Sequence, residues 1–149
     1  MNNIETERLA ISLLDCDNIA DIHDMFIWHN DNEMIKYLHS DVYNTESSFR
    51  CSLLGGKNIF IAKLKDGGDQ VVCYCRVGHS VIYACNPKYR GNGYTAEMLS
   101  AIINTLGLRN VIARIDCRNI ASQKVAEKAG FVRIPLTQNQ TMYEYIHRK

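Results

Sequence analysis

Arg90-Gly91-Asn92-Gly93-Tyr94-Thr95-Ala96 brings together a guanidinium, two glycines and the start of a helical pattern, a set of residue types suited to holding a phosphate. Glycine has no Cβ, so Gly91 and Gly93 let the backbone take unusual dihedrals and approach a ligand closely. The first turn of a helix then adds unpaired N–H groups and the positive end of its dipole, and Arg90 and Lys88 add full charges nearby. The chemistry expected here is anion binding by backbone amides.

The elements that must carry this cradle are legible on both sides of it. Upstream, alternation over Glu7 to Leu14 predicts a strand, and Ile19, Ile22, Met25 and Phe26 recur at helical spacing. A short helix is expected through Met34, Ile35 and Leu38, and another from a cap at Thr45 through Phe49, Leu53 and Leu54 to a stop at Gly55-Gly56. Asn58 to Lys65 and Val71 to Val77 read as a hairpin about Asp66-Gly67-Gly68-Asp69, and Gly78-His79-Ser80 turns the chain into a strand over Val81 to Cys85. Pro87 stops that strand from continuing into a paired ladder. Downstream the pattern is helix to Gly107, strand over Val111 to Ile115, helix over Ile120 to Ala129 closed by Gly130, and strand over Phe131 to Leu136. A last strand over Met142 to Ile146 follows the polar turn Thr137-Gln138-Asn139-Gln140.

Composition narrows the class. A chain of 149 residues, 46% apolar and 22% charged, suits one α/β (α+β) domain over residues 1–149. A net charge of +1 argues against a nucleic-acid partner, which wants a dense basic face. The start of the chain lacks the pattern of a signal peptide, and no apolar run approaches the ~20 residues of a membrane span, so no membrane partner and a cytoplasmic location are expected. Six cysteines lie scattered in apolar segments without C-x-x-C spacing, so core thiols are expected in preference to a metal site, with Cys73 and Cys75 on one strand face.

Two nucleotide templates compete for the loop. Gly91-Asn92-Gly93-Tyr94-Thr95-Ala96 fits the dinucleotide pattern G-x-G-x-x-A, with Asp116 ending the next strand. Pro87 to Arg90 intervene between strand and loop, however, and an antiparallel meander precedes them, both foreign to that fold. The phosphate-loop NTPase pattern fails for want of G-K-S or G-K-T. The alternative is Q/R-x-x-G-x-G/A at a helix start, which this chain resembles as Arg90-Gly91-Asn92-Gly93-Tyr94-Thr95. Downstream, Asn119-Ile120-Ala121-Ser122 with Lys128-Ala129-Gly130-Phe131 is similar to N-x-x-S…K-x-G-F, and Glu5-Thr6-Glu7-Arg8-Leu9 is similar to an opening strand. Together these resemble the GNAT N-acetyltransferase superfamily, in its ribosomal-protein-alanine acetyltransferase branch.

That resemblance implies a mostly antiparallel sheet with a splayed parallel pair at its centre, flanked by helices, and transfer of an acetyl group from acetyl-CoA to a primary amine by direct attack. It implies cofactor contacts from Ala84, Cys85, Arg90, Gly91, Asn92, Gly93, Tyr94, Thr95, Asn119 and Ser122, with no metal. Two departures stand out. Thr95 replaces the usual Gly or Ala, and Ala126 replaces the tyrosine that protonates the leaving thiolate in many members, which makes Ser122 the candidate acid. Ser122 and Asn119 also suit helix capping. A non-catalytic CoA-binding or sensor module is the alternative function.

The need for a base depends on the acceptor, since deprotonating an α-amine at pH 7 costs only ~1.4 kcal/mol and a lysine amine ~4.6 kcal/mol. Glu144, Tyr143, Tyr83 and His79 are candidates for that role, whereas Glu97 suits the acidic first turn of its helix. Trp28, His29, Tyr37 and His39 lie where this family shapes its acceptor pocket, and are equally suited to packing short helices. Asp24, Asp31, Glu33 and Asp41 would suit a cationic acceptor or form a solvated face. The partner expected is a small-molecule or peptide amine, and a homodimer is left open.

Overall fold

The computed structural model describes residues 3–31, 36–37, 43–54, 58–135 and 141–148. The helix expected through Met34, Ile35 and Leu38, the stop at Gly55-Gly56 and the turn over 137–140 lie outside these residues, as do His39, Glu33 and Asp41.

Five strands form a wholly antiparallel sheet in chain order: β1 (Ile4–Glu5), β2 (Leu9–Leu13), β3 (Ile59–Leu64), β4 (Cys73–Val77) and β5 (Val81–Cys85). The segment expected as one strand over Glu7 to Leu14 is narrower, and Ile4–Glu5 folds back to pair with it as Ile4↔Ile11 and Glu5↔Ala10. β4 starts two residues later than Val71, because Val72 sends its N–H to Ala62 O and its carbonyl to Asn86 N–H, splitting its bonds between both neighbours. Val71 and Val72 are nonetheless fully buried. Cys73 and Cys75 are buried in the main core, as their shared face predicts.

A second sheet has the order β6–β8–β7, from Val111–Asp116, Met142–His147 and Val132–Arg133. The strand expected over Phe131 to Leu136 contracts to two residues: Phe131 is drawn into the core, and its N–H goes to Ala126 O. The last strand lies between the other two, with Arg114 opposite Glu144 and Asp116 opposite Met142.

Four helices are described: α1 (Ile19–His29), α2 (Glu46–Leu54), α3 (Tyr94–Leu106) and α4 (Ile120–Lys128). The caps follow local chemistry. Asn18 accepts from Asp21 N–H, Thr45 from Ser48 N–H and Asn119 from Ser122 N–H, while α3 ends on Gly107 at φ 61°. Helices α3 and α4 bury Met98, Leu99, Ile102, Ile103 and Ala126 against one face of the sheets, and α1 and α2 cover a second cluster through Ile22, Met25, Phe49 and Leu53. No described helix is long and apolar enough to cross a membrane.

His29 is buried in that second cluster between the rings of Phe49 and Tyr43, with centroids at 4.9 and 5.6 Å, and both of its ring nitrogens lack a hydrogen-bond partner. Burial holds its pKa below the ordinary value. A group with a depressed folded pKa contributes stability above its unfolded pKa, about 6.5, that is lost as the pH falls through the folded value. The melting temperature is therefore expected to fall between pH 7 and pH 5, and to fall less in His29→Phe. Equal acid sensitivity of the two proteins in a thermal melt would contradict this.

Candidate functional site

Tyr94 opens α3 directly after Gly93, which sits in the left-handed region at φ 80° and provides no side-chain cap. The first N–H groups of the helix, those of Tyr94, Thr95 and Ala96, therefore have no partner within the helix and face outward with the positive end of the dipole. Gly91 is also left-handed, at φ 83°, with open space where a Cβ would be. At Gly93 a Cβ would lie 2.5 Å from Lys128 Nζ and 3.6 Å from an Arg8 guanidinium nitrogen. A bare backbone flanked by two cations fits a bound pyrophosphate.

Arg8 is the strap that holds this loop. Its Nη1 donates to Asn92 O at 2.9 Å, its Nε to Glu97 Oε2 at 2.7 Å, and its guanidinium carbon lies 4.5 Å from the centre of the Tyr94 ring. Thr6 donates to the other Glu97 oxygen at 2.5 Å. Burial alone raises the Glu97 pKa, but the bonds from Thr6 and Arg8 outweigh it and leave the carboxyl below its ordinary value. Arg8 was not legible as a loop residue. Arg8 and Asn92 are 84 positions apart, whereas the signal for Lys128 was present in the K-x-G-F quartet.

Thr95 has a different surrounding from the one its place in the loop suggests. It is 5% exposed and its side chain lies beside the Cys73 and Cys85 thiols, so it faces the core and leaves its backbone N–H for a ligand. Arg90 extends to Asp31, at 3.6 Å. Tyr89 and Tyr94 pack edge to face beside the loop, with Tyr89 donating to Gln70 at 2.8 Å.

A groove lies between β5 and β6, each the edge of its own sheet. The β4–β5 register decides which peptide groups of β5 face it. Val77 N–H donates to Asn58 O and Asn86 N–H to Val72 O, so in the alternating antiparallel ladder Ile82 and Ala84 bond to β4 while Val81, Tyr83 and Cys85 turn their N–H and C=O toward the open edge. Ala84 thus offers no free amide to the groove, although its neighbours do.

Tyr83, Asn119, Ser122, Asp116, Arg114 and Met142 are among the residues lining the groove. Tyr83 donates its phenol proton to Ser122 O at 2.8 Å, and Ser122 Oγ donates to the same phenol oxygen at 3.1 Å. Burial holds the Tyr83 phenol far above its ordinary range, outweighing the opposing hydrogen bond from Ser122. A phenol so raised stays protonated at neutral pH and does not act as a base. Asn119 spends its side-chain oxygen on Ser122 N–H at 3.1 Å. Glu144 does not line the groove: it pairs with Arg114 in the β6–β8 register, two residues farther along than the Met142 that does. Tyr143 lies under the Arg133 guanidinium and His79 in an exposed turn, also away from the groove. The buried Asp116 accepts two bonds from the Arg118 guanidinium, at 3.0 and 2.9 Å, and one from Arg118 N–H.

A family model described as an acetyltransferase (GNAT) domain matches residues 13–132. Comparison with curated proteins finds no match. Among solved structures, the chain is similar to a GNAT-family acetyltransferase from Bacillus anthracis, with 24% identity, a TM-score of 0.77 and coverage of 97% of this chain and 96% of that one. It is also similar to a ribosomal L7/L12 alpha-N-protein acetyltransferase solved with coenzyme A, at 13% identity, TM-score 0.80 and 97% of both chains. A third is the Salmonella typhimurium acetyl transferase that modifies the N-terminal serine of ribosomal protein L7/L12, at 13% identity, TM-score 0.80 and 99% of both chains. At these identities the likeness is one of fold.

Replacing Gly93 by alanine places a methyl group on a left-handed residue and against Lys128, so it is expected to cost about 1–3 kcal/mol of stability. Affinity for coenzyme A is expected to fall at least tenfold, read by calorimetry. Unchanged affinity would show that the loop does not carry the ligand.

Proposed function

Because the chain belongs to the GNAT acetyltransferase family, whose domain model spans residues 13–132, we propose that it transfers the acetyl group of acetyl-CoA to a primary amine, at a peptide N-terminus, on an amino acid or on another small acceptor. The observation that carries this reading is that an uncapped helix start, an open strand edge and a hydroxyl pair belong to neighbouring elements. An amide cradle at the start of α3 follows an unladdered strand edge in the chain, and the middle of that edge carries paired hydroxyl groups.

Acetyl-CoA supplies an activated acyl carbon and a thiolate leaving group. In this reading the N–H groups of Tyr94, Thr95 and Ala96 bind the pyrophosphate, helped by the α3 dipole and by Lys128. The outward N–H groups of Tyr83 and Cys85 orient the pantetheine arm as an added strand and polarise the thioester carbonyl. Alignment of the amine against that carbonyl supplies much of the rate. The neutral amine attacks the acyl carbon, forming the C–N bond as the C–S bond breaks. Ser122 Oγ–H, hydrogen-bonded to the Tyr83 oxygen, turns toward the groove and passes its proton to the departing sulfur. The proton shed by the nitrogen returns to the serine oxygen through water, and Tyr83 stays protonated and keeps the serine in place. Ala126, buried in the core, has no part in this step.

The test is steady-state acetylation of a panel of amines together with acetyl-CoA binding. Ser122→Ala is expected to lower kcat about 10- to 100-fold while leaving the dissociation constant of acetyl-CoA within about twofold, since a lost proton donor affects the transition state and not the ground state. Saturable acetyl-CoA binding without turnover on any amine would instead favour the non-catalytic CoA-binding module.

A further inference from the structure

Part of the groove lining lies on the sheet face opposite α3 and α4, the face that the acetyl-transfer reading gives to the acceptor. Alternation places Cys73, Cys75 and Tyr83 on the core face, so Arg76 and its cross-strand partner Ile82 share the other. On β6, Ala113 and Ile115 are buried in the same core, which puts Arg114 and Asp116 on the acceptor face with their β8 partners Glu144 and Met142. Ile82, Arg114, Asp116 and Met142 line the groove there, and so does Tyr37.

Among the described residues the charges on this face do not balance locally. Asp116 is fully engaged by Arg118, which also reaches to 5.6 Å from the Tyr37 ring, and Lys36 lies 5.2 Å from the same ring. Glu144 stands opposite Arg114 in register without an ion pair to it, and neither Glu144 nor Arg76 lines the groove as Arg114 does. Among the described residues neither Arg76 nor Arg114 has a carboxylate within 4 Å, so Arg114 lines the groove and Arg76 lies behind its cross-strand partner Ile82, each without an ion pair. Of the acids that would have suited a cationic acceptor, Asp31 is beside Arg90 and Asp24 is on α1, and Glu33 and Asp41 lie outside the described residues.

We infer that the acceptor is a primary amine carrying a carboxylate near it, an acidic peptide N-terminus or an acidic amino acid, with Arg76 and Arg114 as the residues that select it. The inference rests on the acetyl-transfer reading for the reaction, and on charge and register for the choice of acceptor. Guanidinium forks match carboxylates in geometry, and like charge repels a lysine-bearing competitor.

The experiment compares kcat/KM for tetrapeptides with aspartate, alanine or lysine at the second residue, and for free aspartate, at low and high salt. The acidic peptide is expected to exceed the lysine peptide at least tenfold, with the ratio narrowing as salt screens the site. In Arg76→Gln/Arg114→Gln the ratio should approach one, and in Arg114→Glu it should move toward the lysine peptide; a thermal melt checks that each variant is folded. Free aspartate matching the peptide would assign the carboxylate to an amino acid, and peptide-only activity to an acidic N-terminus. Equal rates or a lysine preference would overturn the inference. If no amine is acetylated, it is the acetyl-transfer reading that fails, and binding of the same peptides to CoA-saturated protein still decides the charge preference.

Discussion

Every strand edge carries peptide groups that need a partner, and the constraint that organises this molecule is that β5 and β6 lie side by side without supplying one another's. Each is the edge of its own sheet, so the outward amides of Val81, Tyr83 and Cys85 are available to a ligand. What bridges the two sheets is side-chain chemistry and a shared core. Tyr83 on β5 and Ser122 on α4 exchange hydrogen bonds across the groove, and α3 packs against residues of both sheets. A continuous ladder would be more stable locally, but it would close the gap between β5 and β6 beside the hydroxyl pair. The site is therefore a gap in backbone pairing, bounded by groups that keep the gap at a fixed width.

The cradle depends on that same economy of backbone groups. With Gly93 as its cap, α3 begins with no side chain satisfying its first N–H groups, and Lys128 and Arg8 then gather at an already positive helix end. Concentrating like charge there is unfavourable unless an anion arrives. The strain is contained by Glu97, which stands in the first turn and fixes Arg8 against the loop. Arg90 is similarly answered by Asp31. The positive end is thus kept ordered by nearby carboxylates while its amides stay open.

How much of this was legible follows the range of each interaction. The strand Val81–Cys85 and the helix starting at Ile120 were readable because alternation and an Asn cap are local features. The loop was readable because only glycine readily adopts the left-handed dihedrals found at residues 91 and 93. The inward turn of Thr95 was also present in the pattern: it stands three, four and seven residues before the buried Met98, Leu99 and Ile102, so helical phase outranks its place in the motif. By contrast, the Arg8–Glu97 strap spans 89 positions and the Asp116–Arg118 fork depends on burial, and neither leaves a local pattern. Which amides of β5 face the groove needed the register, because a shift of one residue exchanges Ala84 for Cys85.

The central claim, that one ligand spans the cradle and the open β5 edge, is tested most directly by amide hydrogen exchange with and without coenzyme A. The account predicts slowed exchange at Gly93 to Ala96 together with Tyr83 and Cys85, and no change at Ile82 and Ala84, whose N–H groups already bond to β4. Protection of the loop alone, or equal protection along all of β5, would contradict it.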